Sequence, residues 1–216
     1  MITSHQTLLF IGDSITDCGR TRPVGYARGG LGEGYVAQVD AMWMALRPDH
    51  PIRVVNTGIG GNRIMDLTAR WQTDVLDLRP DWLSVKIGIN DVWRQFDNPL
   101  DPAPSTLDVF EKHYRALLEK TRPGLKGLVL MTPYFLEPDR NNPMRAMMDQ
   151  YGAKVQELAR EYDALFVDTQ AVFDAYMARQ HTQTLCSDRV HPNRIGHFLL
   201  ARAFLEVFGF RIQAPA

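Results

Sequence analysis

The stretch Ile11-Gly12-Asp13-Ser14-Ile15-Thr16-Asp17 decides the reading of this chain. It ends an apolar run, turns at a glycine and leaves a serine where the run gives out. Leu8, Leu9, Phe10 and Ile11 form a short, continuous apolar segment, which predicts a strand buried on both faces of a parallel sheet. Gly12 permits the turn, and Asp13 and Ser14 fall just past the C-terminal end of the strand. In open α/β sheets that edge is where ligands bind. Ser14 is therefore a candidate nucleophile, although the same residues also suit a plain capping turn, with Ser14 and Asp17 serving whatever follows.

Further apolar runs repeat the pattern. Ile52 to Asn56, Trp82 to Ile87, Leu128 to Met131 and Leu165 to Val167 read as four more strands. Between them, helical spacing appears in Val36, Val39, Trp43 and Leu46, and again in Ile64, Leu67, Trp71, Val75 and Leu78, a helix expected to carry an interruption and to close at Pro80. Ser105 with Asp108 resembles a capping box opening a helix with Leu107, Phe110, Tyr114 and Leu117 on one face. Met147, Tyr151, Val155, Leu158 and Tyr162 mark another helix, a shorter one covers 171–178, and a last one, with Ile195, Phe198, Leu199, Leu205 and Phe208, is expected to pack the domain shut. The expected fold is a single three-layer α/β/α domain spanning 1–216 on a five-stranded parallel sheet with right-handed crossovers.

Lysine plus arginine (24) nearly balance aspartate plus glutamate (25), which leaves a net charge of −1 and no electrostatic footprint for nucleic acid or an anionic membrane. A neutral or weakly charged small molecule is the expected partner. The N-terminus has no basic segment, and no stretch approaches the ~20 apolar residues of a membrane span. A soluble, unexported, cytoplasmic protein is expected. Cys18 and Cys186 are the only cysteines, too few for a disulfide framework or a structural zinc site, so both are expected to stay thiols.

Each strand end carries polar or glycine residues. After the second strand stands Asn56-Thr57-Gly58-Ile59-Gly60-Gly61-Asn62, whose glycines let the backbone approach a ligand and present amides to it, or simply form a tight turn. After the third comes Gly88-Ile89-Asn90-Asp91, then Trp93, Arg94 and Gln95, an aromatic plane with polar partners that suits a sugar ring. Lys86, within that strand, is costly unless paired. The loop Thr132 to Asn142, with Tyr134, is expected to wall the cleft. Asp188-Arg189-Val190-His191-Pro192-Asn193 precedes the last helix, with Pro192 expected in its first turn. An aspartate three residues before a histidine can fold back and hold the imidazole in one tautomer. A serine, amide donors and an Asp/His pair on one sheet edge are what acyl transfer requires.

Together these four blocks, in this order, resemble those of the SGNH (GDSL) hydrolase superfamily, with its flavodoxin-like fold. Phe10 to Arg20, Ile89 to Gln95, Met131 to Pro133, Pro143 to Arg145, Met148 to Gly152, Leu165 to Ala171 and Ala201 to Leu205 are similar more narrowly to its intracellular bacterial acetylxylan esterases. The resemblance implies Ser14 as nucleophile, His191 as general base and then acid, and Asp188 as its orienting residue. It implies an oxyanion hole of the Ser14 amide, the Gly61 amide and the Asn90 side chain. It further implies an acetylated sugar substrate contacted by Asp13, Asn62, Trp93, Arg94 and Tyr134, no metal or organic cofactor, and a homo-oligomer, an octamer built from dimers. Gly60 departs from the serine that relatives often carry, and Lys86 from an apolar residue. Other readings stay open: the same serine chemistry on short-chain lipid esters, thioesters or another acetylated sugar; a metal-dependent phosphoesterase with Asp13, Asp17, Asp91, Asp188 and His191 as ligands; and a sugar-binding domain without catalysis.

Overall fold

The computed structural model describes residues 1–27, 29–98 and 100–211. Its described strands form one sheet in the order β2-β3-β1-β4-β5-β6. These are β1 (Thr7–Gly12), β2 (Gly25–Tyr26), β3 (Arg53–Asn56), β4 (Trp82–Lys86), β5 (Gly127–Met131) and β6 (Leu165–Val167). All five strands expected from apolar runs are present and parallel. The sixth, β2, corrects the expected count: two residues from the glycine-rich loop after Ser14 pair antiparallel with β3, Gly25 opposite Asn56. Position 28 of that loop lies outside the described residues.

Strand β1 is central because Leu8 through Ile11 are wholly buried, which only an interior strand covered on both faces allows. Helices α2 (Tyr35–Leu46) and α8 (Arg194–Glu206) pack on one another, and Phe10 meets Tyr35 and Phe204 from them. Helices α3 (Ile64–Trp71), α5 (Leu107–Thr121) and α6 (Pro143–Glu161) form the other packed group, joined by rings such as Phe110 and Tyr151. The interruption expected before Pro80 is a π-helical turn, Gln72–Leu76.

Several expectations are corrected. Helix α8 starts at Arg194 with Asn193 as its cap, so Pro192 precedes the helix instead of lying in its first turn. Its buried face is Leu200, Ala201, Phe204 and Leu205, whereas Ile195 and Phe198 are 49% and 44% exposed and do not close the core. Helix α5 is capped at Thr106, and Ser105 makes no capping box; its hydroxyl donates instead to Asp91 Oδ1 at 2.5 Å. Between β4 and α5 lies α4 (Ile89–Asp97), entered through Gly88 at φ +128°, a conformation that needs glycine.

Candidate active site

Ser14 is the first residue of the four-residue helix α1 (Ser14–Asp17), directly after β1. Asp13 caps it by accepting the Ile15 amide at 3.0 Å. The turn therefore lifts Ser14 to the sheet edge while its own backbone is fixed. Opposite it, Arg189 adopts the left-handed conformation, φ 64°, which tightens the turn before α8. Asp188 Oδ1 accepts the amides of Val190 and His191 at 2.9 and 2.8 Å, and Oδ2 accepts His191 Nδ1 at 2.6 Å. With its proton on Nδ1, the imidazole offers Nε2 as an acceptor, and Ser14 Oγ lies 2.8 Å from it. Burial raises Asp188, but the His191 ring and the two amides more than offset this and hold the carboxyl below its usual range. Residues 177 positions apart are thus brought into one proton-transfer chain, Ser14 to His191 to Asp188.

The second block closes over the serine. A Cβ at Gly60 would sit 3.8 Å from Ser14 Cβ, so this loop packs beside the serine at ordinary contact distance. The Gly60 amide is taken by Asp17 Oδ2 at 3.1 Å, whereas among the described residues the Gly61 amide has no acceptor. Asp17 is itself gripped by both terminal nitrogens of Arg22. Asn90, the second residue of α4, is buried and donates from Nδ2 to the Asn62 carbonyl at 3.1 Å, leaving its other amide hydrogen uncommitted. The 60–62 turn packs on Ser14 through Gly60 and is bonded to Asn90 at Asn62. Uncommitted donors of Gly61 and Asn90 therefore belong to segments next to a serine that can yield its proton to an imidazole, and these are the parts of a site that attacks a carbonyl and holds the resulting oxyanion.

A profile of the GDSL-like lipase/acylhydrolase family matches residues 10–199. The chain belongs to the GDSL-like lipase/acylhydrolase family. An acetylxylan esterase of Geobacillus stearothermophilus is 51% identical over 211 residues, which is 97% of this chain and 96% of that protein. The crystal structure of Axe2, an acetylxylan esterase of the same organism, superposes with a TM-score of 0.95 at 51% identity, covering 97% of each chain. LAE5, an alpha/beta hydrolase from the metagenome of Lake Arreo, Spain, follows at 0.94 and 44%, covering 96% of this chain and 97% of its own. Solved relatives also include catalytic mutants of Axe2 in which a serine, an aspartate and a histidine are each replaced by alanine; that aspartate precedes that histidine by three residues.

In this acylhydrolase the residues expected to touch substrate divide. Trp93 borders the site, with its ring centroid 6.2 Å from that of His191, and also lines an open groove of about 360 Å³ with Phe96, Phe135 and Met144. Arg94 is half-buried and covers the Trp93 ring while pairing with Asp97. Asn62 is half-buried, with Oδ1 accepting from Arg70. Two calls are corrected. Tyr134 is wholly buried, its ring against Phe173 and its hydroxyl donating to the Val190 carbonyl at 3.1 Å, so it braces the histidine loop out of a ligand's reach. Asp13 is wholly buried beneath the serine turn. The five groups weighed as metal ligands are not gathered: Asp17 is held by Arg22 and Asp91 by Ser105 and the Ile64 amide. Among the described residues no three His, Cys, Asp or Glu side chains cluster to hold an ion. Cys18 Sγ lies against His197 Nε2 at 3.5 Å, and Cys186 lines a separate cavity beside Arg189.

Two supporting roles escaped the sequence reading. Arg70, on α3, donates to the carbonyls of Gly12 and Thr57, to Asn62 Oδ1 and to Asp74, so one guanidinium ties the first two blocks together. Asp91 joins the third block to the Ile64 amide at 3.0 Å, and burial pushes its carboxyl up to about 7 against those hydrogen bonds. Asp and Arg are common on helices, so only their partners reveal these roles.

Proposed function

We infer that the protein is a serine esterase that removes acetyl groups from acetylated xylo-oligosaccharides, with residues 1–216 acting as one hydrolase unit. The observation that carries the reaction class is the chain of hydrogen bonds Ser14 Oγ, His191, Asp188 beside the free donors of Gly61 and Asn90. The sugar substrate is supported by 51% identity to an acetylxylan esterase along nearly the whole chain and by the exposed aromatic groove that begins at Trp93.

His191 takes the Ser14 proton as Oγ attacks the acetyl carbonyl, and the oxyanion is met by the amides of Ser14 and Gly61 and by Asn90 Nδ2. The tetrahedral adduct collapses, the sugar oxygen leaves with the proton from His191, and acetyl-Ser14 remains. Water, deprotonated by His191, attacks the acetyl carbonyl; acetate departs and the Ser14 hydroxyl is restored. Asp188 keeps the ring in one tautomer and stabilises the imidazolium at both stages. The same proposal includes a cytoplasmic location, which the two unpaired thiols support, and a homo-oligomer, which the resemblance implies; sedimentation of the purified protein tests the assembly. No described helix is long and apolar enough to cross a membrane.

The deciding experiment incubates wild type and Ser14→Ala with acetylated xylo-oligosaccharides and follows acetate and product masses. Stepwise loss of acetyl groups with wild type alone is expected. Cleavage of an aryl acetate without acetate release from the sugar would retain the serine mechanism and remove the sugar assignment.

A further inference from the structure

Strand pairing places Lys86 directly opposite Gly12, so the last residue of β4 sets a lysine beneath the turn that carries Ser14. Lys86 is wholly buried, and Nζ has no hydrogen-bond partner. It lies 4.5 Å from the centre of the Tyr134 ring, a cation held over an aromatic face. The opposite charge that acts on it is Asp13, equally buried, whose Oδ1 serves the Ile15 amide while Oδ2 has no partner. Burial pushes the Asp13 carboxyl up and the Lys86 ammonium down, toward their neutral forms, and the charge of each opposes that shift in the other, so the unpartnered Oδ2 and Nζ hold their charges only as a pair. Tyr134 extends the arrangement, since its hydroxyl holds the carbonyl of Val190, the residue before His191.

We propose that Lys86 is a positioning residue for the hydrolysis inferred above. Its ammonium balances the Asp13 carboxylate under the nucleophile turn and braces, through the Tyr134 ring, the segment that carries His191. This rests on the esterase reading and extends it to a charge that the reaction never touches. Other titratable groups face the pair from the packed elements. Tyr35 on α2, Asp91 on α4 and His191 act on Asp13, and His197 on α8 faces Lys86. His197 accepts the Tyr35 amide on Nδ1, and burial holds it down to about 4, so it is neutral in the working range. His191 is then the group whose charge changes in turnover within the field of the pair. An unbalanced Asp13 favours its imidazolium, and an unbalanced Lys86 disfavours it.

The test compares wild type, Lys86→Met, Asp13→Asn and the double variant on an aryl acetate, reading kcat, KM, the pH profile of kcat/KM and thermal melting. Methionine keeps the length of the lysine stem, and asparagine keeps an oxygen for the Ile15 amide. Each single variant is expected to lose about 10- to 100-fold in kcat with KM little changed. The acid limb should move to higher pH in Lys86→Met and to lower pH in Asp13→Asn, by about half a unit or more, because single charges act on His191 through a partly screened interior. The double variant should return the limb to its wild-type place and recover at least about tenfold over the poorer single. Wild-type kcat with an unmoved profile in Lys86→Met overturns the proposal, as does a double-variant loss equal to the product of the singles. If Lys86→Met fails to fold, Asp13→Asn and the double variant decide: an unmoved acid limb in Asp13→Asn overturns it. Failure of the esterase reading is separable, because wild type would then hydrolyse no ester or Ser14→Ala would match it.

Discussion

Replacing Asp188 by asparagine isolates what the carboxylate does. Oδ1 of Asp188 already serves two backbone donors, Val190 and His191, at 2.9 and 2.8 Å. An asparagine must keep its oxygen on those amides, because the reverse orientation would set an NH2 group against both. Its NH2 then faces His191 Nδ1 across the present 2.6 Å contact, so Nδ1 must become the acceptor and the ring proton moves to Nε2. That nitrogen sits 2.8 Å from Ser14 Oγ and could no longer accept its proton. In serine hydrolases of this kind such an exchange costs about 10⁴ in kcat, or ~5 kcal/mol of barrier. Here the side chains of Asp188 and His191 are 40% and 48% exposed, so solvent weakens the purely coulombic share, and a loss of about 10³ to 10⁴ is expected. Asp188→Ala imposes no tautomer and lets water reach Nδ1, so it should retain more activity than the asparagine. Initial rates on an aryl acetate, with kcat and KM separated and melting curves for each protein, provide the measurement. An asparagine variant within tenfold of wild type, or an alanine variant slower than the asparagine, would refute the tautomer argument.

Asn90→Ala should lower kcat by about 10²–10³ with little change in KM if its Nδ2 meets the developing oxyanion as proposed; a KM effect alone would count against that role. Gly58→Ala should be strongly destabilised, because its Cβ would lie 2.4 Å from the Asp17 amide nitrogen, whereas Gly60→Ala, whose nearest neighbour is at 3.8 Å, should melt close to wild type; equal melting points would contradict the packing described. Asp91 gives a pH signature. Its folded value of about 7 lies above an ordinary 3.8, so the native state binds the extra proton in that window; the stability it contributes is full below the window and is lost as pH rises through 7. Asp91→Asn should therefore flatten the fall in melting temperature between pH 5 and 8, by several degrees at the alkaline end; identical slopes for the two proteins would exclude a raised Asp91.

The sequence displays the sheet well because buried parallel strands must be apolar on both faces, and Leu8–Ile11 and Leu128–Met131 have no other reading. Strand β2 escaped because Gly25 and Tyr26 are too short to show a period. Helix α4 escaped for the opposite reason: its buried positions include Asn90 and Asp91, polar residues turned inward for the site, which erases the apolar stripe. Ser105 was misread because a serine at a helix start looks like a cap whether or not its hydroxyl is spent on a distant carboxylate. Helix α8 is apolar on more than one side, so spacing alone could not choose between Phe204, fully buried, and Phe198, exposed. The four reactive blocks were visible as motifs, but the direction of each side chain was not. Tyr134, an aromatic in a polar loop, has the same letter code whether it lines a cleft or props up a neighbouring turn.

The grip of Arg70 on Gly12, Thr57 and Asn62 has a consequence for redesign. Two loops that share one guanidinium cannot be lengthened or exchanged one at a time, because a graft into either withdraws acceptors that the other also depends on. The wall formed by residues 132–142 is bound elsewhere, through Leu136 and Glu137 to Arg189 and through Tyr134 to Val190. Its outer residues can be recombined while Arg70 and its acceptors remain untouched. Libraries aimed at new acyl esters should accordingly be built in that wall and leave the paired glycine turns as fixed chassis.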